Sequence, residues 1–147
     1  MKPTIYYFSE ETKFILRHKR KITAWLQSVI QQEAHQLEGL TFVFCSDAYL
    51  HAKNQTYLNH DTLTDILTFD HATKPKTILG DIYISIERVR DNAKQYQTKP
   101  QEELYMVMVH GLLHLLGYDD HAAADIQIMR EKERWYVAQL RHMYALV

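Results

Sequence analysis

Pro100-Gln101-Glu102-Glu103-Leu104-Tyr105-Met106-Val107-Met108-Val109-His110-Gly111-Leu112-Leu113-His114-Leu115-Leu116-Gly117-Tyr118-Asp119-Asp120-His121 holds a helix start, an apolar helix and its stop in one run. Pro100 suits the first turn of a helix, where its missing N–H is not needed. Gln101 to Leu116 reads as helix, anchored in a core by Val109, Leu112, Leu113, Leu115 and Leu116. Gly117 ends it and turns the chain back. His110 and His114 are four residues apart, so both imidazoles stand on one helical face and can meet one ion. A third ligand just past the glycine turn would close on the same metal. That set leaves one position open for water, whose pKa a metal lowers toward neutral. The spacing is not that of H-E-x-x-H metalloproteases, because Gly111 stands where that motif carries its glutamate base.

The elements around this helix follow from periodicity. Downstream, Ala122 to Leu146 reads as a last helix with Ile126, Met129, Tyr136, Val137, Leu140 and Tyr144 on one face. Upstream, Ile78 to Ser85 reads as a strand, and Ser85 can cap a helix reaching about Tyr96. Ile66 to Phe69, Leu40 to Cys45 and Thr4 to Phe8 are further strands. Ser46 or Asp47 can cap a helix to about Tyr57. Ile22, Trp25, Leu26, Val29, Ile30 and Leu37 place an amphipathic helix over Lys21 to Leu37, with Gly39 as its C-cap. The pattern predicts one α+β (or three-layer α/β) domain over 1–147, with a mixed sheet of about four strands packed with about five helices.

Composition narrows the function classes. The 147 residues are 46% apolar and 24% charged, enough for one core without staples. Cys45 is the single cysteine, so no intramolecular disulfide forms, and it reads as a buried small hydrophobe. The N-terminal apolar run is too short for a signal peptide, and no stretch has the length of a membrane helix. A cytoplasmic setting without membrane contact is the expectation. A net charge of −1 does not indicate a strongly cationic nucleic-acid binder, while a local basic patch is compatible with it. Nine histidines, most of them between His51 and His121, point toward metal or proton chemistry.

Three ordered blocks resemble one family. The segment from His110 to Asp120 is similar to the H-G-x-L-H-L-x-G-Y-D-H signature of the YbeY family, bacterial endoribonucleases of rRNA maturation. Leu58-Asn59-His60-Asp61-Thr62-Leu63-Thr64-Asp65-Ile66-Leu67-Thr68-Phe69 resembles the family block that ends T-D-V-L-S-F. Leu79-Gly80-Asp81-Ile82-Tyr83-Ile84-Ser85 resembles its L-G-D-I-x-I-S strand. The likeness runs from about Phe42 to Tyr136, roughly two thirds of the chain. The resemblance implies one Zn²⁺ per chain, with other divalent ions acceptable, held by His110, His114 and a third ligand. Counting the family spacing puts Asp120 in the third place, with His121 one residue later as its rival. A mixed nitrogen/oxygen set is harder than three imidazoles and more tolerant of other ions. The resemblance also sets the strands of Asp65 and Asp81 beside the metal helix. Either carboxylate could hold a ligating histidine through its second nitrogen, or serve as a turn cap or strand-end partner. Leu58 stands where the family has an arginine, and Lys53 or His60 are the nearby cations.

Arg17-His18-Lys19-Arg20-Lys21 is the strongest basic run, read either as an RNA backbone contact through Arg17, Lys19, Arg20 and Lys21 or as a solvated loop. Tyr6, Tyr7 and Phe8 either stack on bases or alternate across a sheet, and Trp25 and Trp135 read as core. The resemblance implies a zinc-dependent, single-strand-specific endoribonuclease acting in 3′-end maturation of small-subunit rRNA and in ribosome quality control. Its partners would be rRNA and the small ribosomal subunit, and no catalytic group is named beyond the metal-bound water. The alternative is a ribosome-associated assembly factor with a structural metal and little nuclease activity. A hydrolase of a small ester or amide needs only the same open site.

Overall fold

The computed structural model describes residues 4–58 and 65–146. The elements run β1 (Ile5–Glu10), α1 (Lys19–Gln32), β2 (Gln36–Cys45), α2 (Asp47–Leu58), β3 (Ile66–Asp70), β4 (Thr77–Ser85), α3 (Ile86–Gln95), α4 (Pro100–Leu115) and α5 (Ala123–Tyr144). The strands form one sheet in the order β1-β2-β4-β3, with β1 and β4 parallel to β2 and β3 antiparallel to β4. This is the mixed α+β sheet with five helices that the pattern predicts.

Strand periodicity assigns the faces. In β4, Ile78, Gly80, Ile82 and Ile84 are buried and alternate with half-buried Leu79, Asp81 and Tyr83. Ile78, Ile82 and Ile84 join the main core with Trp25, Phe42, Met108 and Leu112. On the other face, Cys45, Leu50 and Leu67 form a smaller cluster with Tyr49, Phe69 and Tyr83. The central helix is α4, buried nearly all round from Leu104 to Leu115. It approaches the sheet so closely at Gly111 that a Cβ there would lie 2.8 Å from Ile66 Cδ1 and 2.9 Å from Ile82 Cγ2. The residue that follows the first helical histidine is therefore glycine for packing reasons.

Three expectations are corrected. The first helix does not run to Leu37, and Gly39 is no C-cap. α1 ends at Gln32 in a turn whose αL position is Ala34 (φ 57), with His35 N–H bonding to Ile30 O. Leu37 and Gly39 belong to β2, where Gln36 and Leu37 pair with Thr77 and Ile78 of β4 and a register shift falls before Gly39. Partner-strand hydrogen bonds override the helical spacing of Leu37. Trp135 is not core but 60% exposed, because the buried stripe of α5 is Met129, Glu133, Tyr136, Val137 and Leu140, and residue 135 falls outside it. Ile126, placed on the same apolar face, is exposed near the start of α5.

Other expectations stand. Trp25 is fully buried and donates its Nε1–H to Tyr136 O at 2.7 Å. Tyr6 and Phe8 point out while Tyr7 packs inward, so β1 alternates. Ser85 caps α3, accepting from Arg88 N–H. Among the described residues no helix is long and apolar enough to cross a membrane.

Candidate metal centre

The site is built at the C-terminal end of α4. Leu116 closes the helix, the N–H of Gly117 bonds to His114 O, and the N–H of Tyr118 bonds to Leu113 O. This pair of hydrogen bonds makes the Schellman turn, with Gly117 in the positive-φ position (φ 105). The turn folds the following residues back over the last turn of α4. Tyr118 is held from outside by Glu33 at the end of α1, which accepts its phenol O–H at 2.6 Å. Glu33 also accepts from the Tyr136 phenol and from Lys132. Burial alone would push the Glu33 carboxyl up, but these hydrogen bonds and the Lys132 charge outweigh it, and the net displacement is downward.

The reversal brings three donors together. His110 Nε2 and His114 Nε2 are 3.1 Å apart. Asp120 Oδ2 lies 3.2 Å from His114 Nε2 and 3.5 Å from His110 Nε2. Ligands about 2.0–2.1 Å from a tetrahedral zinc stand about 3.3 Å from one another, so this triangle matches one face of such a site. All three side chains are about a quarter to a third exposed, which leaves the outer side open.

The tautomers support the fit. Glu133 of α5 lies with Oε2 2.6 Å from His110 Nδ1, and a carboxylate can only accept, so Nδ1–H donates. The lone pair of Nε2 is then fixed toward His114 and Asp120. A lone pair, a second imidazole and a carboxylate meeting at about 3 Å call for a cation between them. The electrostatics agree. Burial alone would lower the His110 pKa, but the Glu133 hydrogen bond and the charges of Glu133, Asp120 and Asp65 overcome it and draw a cation to the ring. The carbonyl end of α4 adds partial negative charge beside His114.

The other sequence-derived residues fall in different places. His121 turns outward, 87% exposed, with Nε2 3.3 Å from Asp119 Oδ1. Asp119, Asp120 and His121 are close enough to form a second group, and Asp120 is common to both. Asp65 lines the cavity that opens beside His110. Asp81 instead meets His71, with Oδ2 3.1 Å from His71 Nε2. Lys53 lies over the rings of Tyr49 and Tyr83, on the α2 face of the sheet. Leu58 ends α2, whereas His60 and Thr64 lie outside the described residues. Arg17, Lys19, Arg20 and Lys21 gather at the N-terminal end of α1, the opposite end from Glu33. That helix is about 20 Å long, so the basic run does not join the site.

Sequence reading missed Glu133. Its signal was a charged residue inside the apolar stripe of α5, between Met129 and Val137 at helical spacing. The cavity beside the site is about 570 Å³ and runs between α3, α4 and α5.

Comparisons with known proteins converge. The model of the family described as Endoribonuclease YbeY matches residues 7–141, beyond both ends of the likeness carried by the three sequence blocks. A protein named Endoribonuclease YbeY from Amoebophilus asiaticus is 54% identical over 136 residues, covering 92% of each chain. One of the same name from Flavobacterium johnsoniae is 48% identical over 126 residues, covering 86% of this chain and 90% of its own. A Thermotoga maritima protein solved in solution superposes with a TM-score of 0.68 at 24% identity, covering 96% of this chain and 91% of that one, and shows the same fold.

Proposed function

Because this chain belongs to the YbeY endoribonuclease family, we propose that it hydrolyses single-stranded RNA with a divalent ion held by His110, His114 and Asp120. Zinc is the proposed ion, and a precursor of small-subunit rRNA the proposed substrate, cut in the cytoplasm during ribosome maturation and quality control. The observation that carries this reading is the 3.1–3.5 Å triangle of two imidazole nitrogens and one carboxylate oxygen, with an open outer side. Bound there, a divalent ion would acidify a water molecule and offset charge building on phosphate oxygens.

The chain's own groups have separable tasks. Glu133 holds the His110 ring with Nε2 bare and turned toward the site. Asp120 supplies a negative oxygen that two neutral imidazoles lack. The Glu33–Tyr118 bond and the Gly117 turn hold Asp120 over the helix end.

The test is metal content of untagged protein by elemental analysis, with His114→Ala, Asp120→Ala and His121→Ala variants. The expected result is near-stoichiometric zinc in the parent and in His121→Ala, and its loss in the other two. Parent protein loaded with zinc should cut single-stranded rRNA fragments while His114→Ala does not. Zinc unaffected by His114→Ala would overturn the site, and a loaded parent inert on RNA would overturn the activity.

A further inference from the structure

Two guanidiniums share the cavity with the metal ligands. Arg130 and Arg134 of α5 line it together with His110 and Asp120. They are four residues apart, hence on one face and about 6 Å apart along the helix axis. Both are exposed, and among the described residues neither has a hydrogen bond or an ion pair. This is notable because Asp65, Glu103, Asp120 and Glu133 line the same cavity. The arginines do not serve to neutralise those carboxylates. Across the groove, Tyr96 at the end of α3 is 61% exposed and lines the cavity, and among the described residues it has no ring partner.

We propose that Arg130 and Arg134 bind two phosphates of the RNA strand beside the one held at His110, His114 and Asp120, and that Tyr96 stacks on an adjoining base. The chemistry fits each group. Guanidinium forks pair with phosphate oxygens, and an exposed aromatic ring on a groove wall takes a base of any sequence. A strand laid along α5 would meet the arginines in succession and reach the ligands at the end of the cavity. The cations that engage RNA thus come from α5. They do not come from the basic run at the far end of α1, nor from position 58, where this chain has leucine.

The inference rests on the reading of the site as a nuclease, and its test separates the two. Zinc-loaded protein is titrated against a fluorescent 2′-O-methyl oligouridylate over a range of salt, and binding is read by anisotropy. For Arg130→Gln/Arg134→Gln the affinity should fall on the order of ten-fold at low salt. The slope of log affinity against log salt should shrink by about 1.4, or 0.7 for each lost phosphate contact. Tyr96→Leu should weaken binding by about five-fold or more with the slope unchanged, since stacking releases no counterions. A charge-matched Arg17→Gln/Lys19→Gln variant should keep the parent slope. All substitutions are at exposed positions, and circular dichroism checks the fold. A parent that binds, with Arg130→Gln/Arg134→Gln indistinguishable from it, overturns the proposal and leaves the nuclease reading intact. Equal slope losses in both double variants also overturn it, because net charge alone would then explain binding. A zinc-loaded parent with no affinity for the strand overturns both.

Discussion

Glu133 Oε2 lies 2.6 Å from His110 Nδ1 and binds across 23 positions of sequence to a ring whose other nitrogen faces His114 and Asp120. Both members are largely shielded, with the Glu133 side chain 9% exposed. The contact fixes the tautomer of the histidine and ties α5 to α4 at the site.

If the site holds zinc as proposed, that bond should set its affinity. Glu133→Ala should weaken zinc binding roughly 10- to 100-fold, the range found when such supporting carboxylates are removed. Glu133→Gln should cost less, because its amide oxygen still accepts from Nδ1–H. Competition with a chromophoric chelator gives the ratio directly. Equal affinities in parent and Glu133→Ala would show that His110 does not need the carboxylate.

Gly111 is a packing requirement. A Cβ at this position would meet side-chain carbons of Ile66 and Ile82 at under 3 Å. Gly111→Ala should cost about 1–3 kcal/mol through overpacking, read from urea unfolding. Gly111→Glu, which would write the protease motif into the helix, should fail to fold. Parent-like stability for Gly111→Glu would mean that α4 can lift from the sheet.

Gly117 is required by conformation instead. Among the described residues nothing lies within 4 Å of a Cβ built there, yet its φ is +105. Gly117→Ala should therefore cost on the order of 1–2 kcal/mol. It should also lower zinc affinity, because the turn carries Asp120. Normal zinc affinity together with the loss of stability would separate the turn from the site.

Glu33 predicts a pH dependence. Its folded carboxyl pKa lies below the ordinary 4.5. Its contribution is then fully present above the unfolded value and is lost as pH falls through the folded one. The stability difference between parent and Glu33→Gln should shrink from about pH 6 to about pH 3, measured by urea midpoints. A difference that stays constant over that range would show that the charge of Glu33 is irrelevant to stability.

Cys45 should be inert. Burial, followed by the charges of Asp47, Glu11, Glu10 and Glu87, pushes its thiol up to about 12. In native protein at pH 8 an aromatic disulfide reagent should label no thiol, and in urea it should label one per chain. Rapid labelling of the folded protein would contradict the burial of β2.

The sequence by itself determined what is local. The spacing of His110 and His114, the Gly117 stop, the cap at Ser85 and the alternation of β4 depend on a few consecutive residues and the geometry of one element. What depended on packing was out of its reach. Leu37 kept helical spacing yet paired in a strand, because β4 offered it hydrogen-bond partners. Asp81 met His71, and the partner of His110 came from α5. Asp120 and His121 are neighbours in sequence, and only the path of the chain after Gly117 turns one toward both imidazoles and the other toward Asp119. Arg130 and Arg134 were unremarkable exposed residues until α3, α4 and α5 enclosed a cavity around them. Such contacts join residues tens of positions apart. They are decided by which faces pack together, a choice made by the burial of the whole core and not by any short run of residues.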